Sequence, residues 1–287
     1  MTNTALILGA SGRFGRNAAD AFTQAGWSVR RFDRKTDNLT TAAKGMDVIV
    51  AAWNPQYTDW ADQVPGLHAQ IRKAALENDA TVILPGNVYV FGPDAPTPWS
   101  ESTPHLANNP LARIRRDMEE AYRKEGVKTI LLRAGDFLDT TASGNWFDQI
   151  IAKPLAKGRI TYPGAPDSPH TWAYLPDLAR AAVMLAEKRS TLARFEDVPF
   201  PGFTLSGNQM AKAISRAINS PVALRKMSWL PLHLARPFMP LAKHLFEMRY
   251  LWSLPHSMSG ERLSVLLPDF QPTSVDDALS AATKDLR

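Results

Sequence analysis

Ala5-Leu6-Ile7-Leu8-Gly9-Ala10-Ser11-Gly12-Arg13-Phe14-Gly15-Arg16 is the stretch from which the rest of the chain can be read. The apolar run Ala5–Leu8 reads as a strand, and Arg16–Phe22 reads as a helix. Between them stand three glycines at G-x-x-G-x-x-G spacing. In a strand-turn-helix context each glycine has its own task. One makes the tight turn, one lets a pyrophosphate approach the backbone, and one lets the helix pack closely on the strand. The unpaired N–H groups and the positive end of the helix then face an anion. The expected contacts are Gly9, Ser11, Gly12, Arg13, Phe14 and Gly15.

Working outward, apolar runs continue to alternate with amphipathic stretches. Trp27–Phe32 reads as a second strand ending at Asp33, and Asp47–Ala52 as a third, apolar enough to be covered on both faces. A helix over Gly66–Asn78, a strand over Thr81–Leu84, a helix over Asn109–Gly126 and a strand over Val127–Arg133 follow. This alternation predicts βαβ units: an α/β fold with a doubly wound parallel, Rossmann-type sheet and ligands at the carboxyl ends of its strands. Beyond Arg133 proline and glycine become dense. A helix over Pro176–Lys188 is expected to pack on the sheet, and Ser206 to cap a helix running to about Asn219. Residues 1–188 are thus expected to form the dinucleotide-binding domain, with some loops after 136 contributing to the cap. Residues 189–287 would form mainly a smaller C-terminal substrate-binding cap.

The 287 residues carry 33 Lys+Arg against 28 Asp+Glu and no cysteine, which excludes disulfides, thiol catalysis and thiolate metal sites. No run is apolar enough to span a bilayer, and the first residues lack the basic region of a signal peptide, so a cytoplasmic protein without integral membrane association is expected. The basic clusters Arg30–Lys35 and Arg113–Arg116 lack interleaved aromatics, and no nucleic-acid partner is expected. The histidines show no metal-ligand spacing, and no metal is expected. Trp229–Pro255, rich in Leu, Pro, Met and aromatics, reads as a cap packing on the sheet's open edge or as the lining of an apolar substrate pocket; a membrane-facing surface is the other reading.

The set of motifs resembles the extended and atypical short-chain dehydrogenase/reductases, the NAD-dependent epimerase/dehydratases. The glycine loop, Asp47–Ala52, Pro85–Gly92, Leu132–Phe137 and Trp172–Ala179 carry the resemblance in family order, and Glu247–Trp252 looks like the variable cap. The resemblance implies NAD or NADP as cofactor, held by the glycine loop with Ala51 and Ala52. It also implies that Asp47 approaches the adenine. An acid at the end of the second strand favours NAD and an arginine favours NADP; Asp33 leans the choice to NAD, with Arg34 beside it.

One departure bears on the chemistry. The family uses a Tyr and a Lys one helical turn apart, with a Ser or Thr at the end of the fourth strand; here Leu111, Arg115 and Asn87 take those positions. The resemblance then implies that Arg115 binds ribose and supplies charge without relaying protons. Asn87 would contact a substrate oxygen, and Tyr89 would supply the missing proton, with Asp136 and His170 as weaker candidates in flanking loops. Two functions follow. The first is an oxidoreductase or epimerase-like enzyme acting on a small carbonyl or hydroxyl substrate. The second is a non-catalytic NAD(P)-responsive protein, for which loss of the Tyr–Lys pair is the expected mark.

Overall fold

A computed structural model of the chain describes residues 2–286. In chain order its first half comprises β1 (Thr4–Leu8), α1 (Arg13–Gln24), β2 (Ser28–Phe32), α2 (Leu39–Ala42), β3 (Val48–Ala51), α3 (Trp60–Glu77), β4 (Thr81–Gly86), α4 (Pro110–Lys124) and β5 (Thr129–Arg133). The second half comprises β6 (Asp136–Leu138), β7 (Arg159–Tyr162), β8 (His170–Tyr174), α5 (Leu175–Glu187), β9 (Phe195–Pro199), β10 (Phe203–Leu205) and α6 (Gly207–Ala217). It ends with β11 (Ala223–Lys226), α7 (Leu230–Ala235), α8 (Pro240–Glu247), α9 (Glu261–Leu266) and α10 (Val275–Ala282).

The main sheet is parallel throughout, in the order β2-β1-β3-β4-β5-β9. The chain reverses direction across the sheet between β1 and β3, and the crevice outside their carboxyl ends is where a doubly wound sheet takes its ligand. β1, β3 and β5 are buried along nearly their whole length, as strands covered by helices on both faces must be. Asp33–Asp47 holds only the single turn of α2, so no strand lies outside β2, which is left as a largely exposed edge.

Helix α1 turns Phe14, Ala18 and Phe22 inward, one helical face at i, i+4 and i+8. Its alanines let it lie close against α5, whose facing residues Ala179, Ala182 and Ala186 are equally small. Helix α3 begins at Trp60, well before the expected Gly66, and passes through Pro65. Proline removes one helical hydrogen bond; burial of Trp60 and Val64 on the inner face holds the helix together across the gap. Helix α6 starts at the expected Ser206, in a reciprocal capping box with Gln209.

The sixth strand, β9, lies beyond residue 188, so the main sheet extends past the expected division of the chain. Phe195-Glu196-Asp197-Val198-Pro199 has no strand-like alternation, because two acids are buried in it. Arg262 answers Glu196 at 2.6 Å and Arg133 answers Asp197 at 2.8 Å. Two small sheets, β10-β8-β6 and β11-β7, build the cap around α6 and α10.

Two histidines are buried uncharged. His68 on α3 exchanges a 2.9 Å hydrogen bond with the Tyr122 hydroxyl on α4, and burial, with Arg115 and Arg72 nearby, pushes it down to about 3. His256 stacks on Trp99, and burial, then His170, push it down to about 3 as well. Below the ordinary histidine value the unfolded chain takes up protons that the folded chain refuses. Stability should therefore fall on acidification, by about 1.4 kcal/mol per pH unit for each histidine. Denaturation curves taken from neutral pH down to about 5 should show this loss, and His68→Gln should make it shallower.

Candidate active site

The strand β1 ends because Gly9 adopts φ +73°, a left-handed conformation, and a Cβ there would lie 2.8 Å from the Cα of Trp53. The Gly12 amide donates to the Gly9 carbonyl at 2.9 Å, closing the turn, and a Cβ on Gly15 would sit 2.1 Å from that same carbonyl. Gly12 is different: its Cβ would meet only the Gly9 carbonyl at 3.2 Å and the Ala52 carbonyl at 4.0 Å. Two glycines therefore serve the fold, and the third keeps a space clear. Helix α1 starts at that space with no side-chain cap and no acid in its first turn, which leaves its N–H groups and positive end for an anion. A dinucleotide pyrophosphate fits this cradle.

The other residues expected at the cofactor take varied positions. Ser11 is exposed on the loop and Ala52 half-buried beneath it, while Ala51 is buried at the end of β3. Phe14 turns away into the core, leaving only its backbone at the helix start. Arg13 donates to the carbonyls of Ser143 and Gly144, and Arg16 pairs with Asp139 at 2.8 Å, so these arginines tie the 139–144 segment to α1. One carboxylate oxygen of Asp33 accepts the Lys35 amide at 2.9 Å within its own turn. The Arg34 guanidinium lies 5.4 Å from the Trp53 ring centre. Asp47 belongs to the opposite edge of the sheet. It precedes the amino end of β3 and accepts hydrogen bonds from the Thr4 amide at 2.8 Å and from Arg189 at 3.0 Å, so it cannot approach an adenine at the carboxyl edge.

At the carboxyl end of β4 the Asn87 side-chain oxygen accepts the Tyr89 amide at 3.1 Å, and its backbone carbonyl accepts from Arg133 at 2.8 Å. The Tyr89 hydroxyl is hydrogen-bonded to that of Tyr57, on the turn Tyr57–Asp59 that leads into α3, and both rings pack on Trp60. Burial first, then the neighbouring Tyr57 and Asp136, push the Tyr89 hydroxyl well above its usual range. Burial is likewise the main reason Tyr57 is raised. Both phenols are neutral at physiological pH and can donate a hydrogen bond, but neither is a base.

Arg115 is buried. It donates to the Pro85 carbonyl, and its guanidinium centre lies 5.9 Å from the Trp60 ring centre. Burial lowers its pKa, with Arg133 adding to the effect and Glu119 opposing it. Leu111 is buried in the same core. Arg115 thus acts on the tyrosines through its charge, from behind the wall of the site. Asp136 and His170, expected in loops, instead start the adjacent strands β6 and β8 and meet at 2.7 Å. His170 stacks on Trp252 with centroids 4.5 Å apart, while the Asp136 carboxylate stays partly open.

Sequence reasoning missed Tyr57, which sits alone in a Pro- and Gln-containing loop and acquires meaning only through Tyr89. It also missed the role of Glu247 in the cap, whose carboxylate takes the Leu111 amide at 2.7 Å and so caps α4. A separate cavity of about 370 Å³ opens between α4 and strands β5 and β9, among His105, Arg116, Glu119, Arg123, Phe195 and Asp197, and no residue of the glycine loop lines it.

No protein-family model and no curated protein matches the sequence. Solved structures do match along the whole chain. A GalE-like L-threonine dehydrogenase from Cupriavidus necator superposes with a TM-score of 0.76 at 15% identity, covering 100% of both chains. The fold is shared. A UDP-N-acetylglucosamine 4-epimerase from Methanobrevibacter ruminantium M1, in complex with UDP-N-acetylmuramic acid, gives 0.73 at 15% identity over 99% of this chain and 97% of that one. A UDP-glucuronic acid 4-epimerase variant from Bacillus cereus, bound to a fluorinated UDP-sugar and NAD, gives 0.72 at 15% identity over 99% and 98%. The α/β Rossmann-type architecture with its C-terminal cap is therefore that of the nucleotide-sugar epimerase and dehydratase structures.

Proposed function

We propose that the chain binds a nicotinamide dinucleotide along Gly9–Gly15, NAD in preference to NADP. We further propose that it works as an oxidoreductase or epimerase/dehydratase-like enzyme on a small carbonyl or hydroxyl compound. The observation that carries this reading is the cleared space at Gly12, facing the uncapped start of α1. When bound, the nicotinamide supplies or accepts the hydride. The first amides of α1 hold the pyrophosphate, and the carboxylate oxygen of Asp33 not used by Lys35 accepts a ribose hydroxyl.

Around the reacting carbon, the Asn87 amide nitrogen and the Tyr89 hydroxyl are the donors that polarise a substrate oxygen. Tyr57 orients Tyr89 through the shared hydrogen bond. A neutral phenol suits carbonyl reduction, where a proton is delivered to the forming alkoxide. In the reverse direction the same phenol oxygen takes the proton back, so Tyr89 must first lose its own, and the Asp136–His170 pair would be the acceptor for that proton. The nucleotide-sugar ligands of the matching structures make sugar nucleotides one natural substrate class.

The test is to follow cofactor absorbance with NADH and NADPH against aldehydes, ketones and sugar nucleotides. Turnover is expected, faster with NADH, and Asp33→Asn should narrow the preference. A second reading, a binding protein that responds to NAD(P) without turnover, draws on Leu111 and the buried Arg115 standing where a Tyr–Lys pair would be. Tight binding with no turnover on any compound would favour it.

A further inference from the structure

The α7–α8 hairpin is the least covered apolar part of the molecule. Leu230 and Leu234, four residues apart on α7, are 62% and 67% exposed; Phe238, at the tip between the helices, is 90% exposed, and Met239 follows it. Single exposed apolar residues are ordinary on a protein surface. A contiguous group of this size marks an interaction site.

Its charge is one-sided. Between Ala223 and Trp252 the chain carries Arg225, Lys226, Arg236, Lys243 and Arg249 against one acid, Glu247. All five cations are exposed, and none forms an ion pair among the described residues. Glu247 is turned inward onto the start of α4. A second copy docking by twofold symmetry would bring the two basic sets together, which like charges oppose. An anionic surface satisfies both features.

We propose that the α7–α8 hairpin docks the protein peripherally on membranes rich in anionic lipid. Leu230, Leu234 and Phe238 enter the interface, and Arg225, Lys226, Arg236 and Lys243 face the headgroups. No helix among the described residues is long and apolar enough to cross a membrane, so the contact is one of lying on the surface. The hairpin is not remote from the site, because α8 packs on the Tyr57–Asp59 turn. The proposal stands independently of cofactor binding.

The experiment is co-sedimentation of the full chain with phosphatidylcholine vesicles, with and without phosphatidylglycerol, at low and high salt. Binding is expected only with the anionic vesicles and should fall as salt rises. Phe238→Ser should weaken partitioning about tenfold or more. Each of Arg236→Gln and Lys243→Gln should weaken it about fivefold. These surface variants should leave the melting curve unchanged. Absence of binding to anionic vesicles at low salt would overturn the proposal, as would binding indifferent to all three substitutions. A dimer seen by light scattering and abolished by Phe238→Ser would equally overturn it, assigning the patch to a second copy.

Discussion

Replacing Arg133 by leucine should destabilise the protein by about 3–5 kcal/mol, a large share of the roughly 5–15 kcal/mol that holds a domain folded. Arg133 is fully buried at the end of β5. It donates to Glu119 at 2.9 Å, to Asp197 at 2.8 Å and to the Asn87 carbonyl at 2.8 Å. Burial pulls its pKa down, but the carboxylates of Asp197 and Glu119 outweigh burial and hold it above its usual range. Without it, two carboxylates face each other in the interior and the Asn87 carbonyl loses its donor.

The pH response identifies the cause. In Arg133→Leu both carboxyls would bind protons more tightly folded than unfolded, so this contribution to stability grows as pH falls. The variant keeps His68 and His256, so the two effects oppose each other and its stability should fall less steeply on mild acidification than that of the wild type. Adding Asp197→Asn should restore part of the loss. A variant that follows the wild-type pH trend would show that the carboxylates are not the reason.

The second large effect is expected at Tyr89. If Tyr89 donates to the substrate oxygen as proposed, Tyr89→Phe should lower kcat by about a hundredfold or more, with cofactor affinity unchanged. Tyr57→Phe removes only the group that orients Tyr89 and should cost less. Because burial keeps both phenols neutral, carbonyl reduction by the wild type should show no fall in rate from phenol ionisation until well above neutral pH. Turnover that survives Tyr89→Phe would remove Tyr89 from the chemistry and leave Asn87 and the Asp136–His170 pair.

What could be read from the sequence was what is decided locally. The glycine loop, the strands around it, the capping serine at 206 and the helix starting at Pro110 each carry their signal within a few residues. Residues whose meaning lies in distant partners were not legible. Strand β9 looks unlike a strand because Glu196 and Asp197 are neutralised by Arg262 and Arg133, far away in the chain. Tyr57 and Tyr89 meet through a fold, not a spacing. Asp47 was misplaced for a geometric reason. An acid before a parallel strand lies at the amino edge of the sheet, and the ligand crevice lies at the carboxyl edge. Its bonds to Thr4 and Arg189 are structural.

The central claim is the dinucleotide site, and titration of NADH and NADPH into the wild type and Gly12→Ala tests it most directly. The substitution suits the backbone, since Gly12 has φ −78°, and its Cβ would press on the Gly9 carbonyl at 3.2 Å, so the fold should survive with a small loss of stability that the melting curve measures. The added methyl would take up the space proposed for the pyrophosphate. The wild type should bind NADH, and Gly12→Ala should bind it at least tenfold more weakly, about 1.4 kcal/mol. A wild type that binds neither cofactor, or a folded Gly12→Ala that binds as tightly as the wild type, would contradict the account.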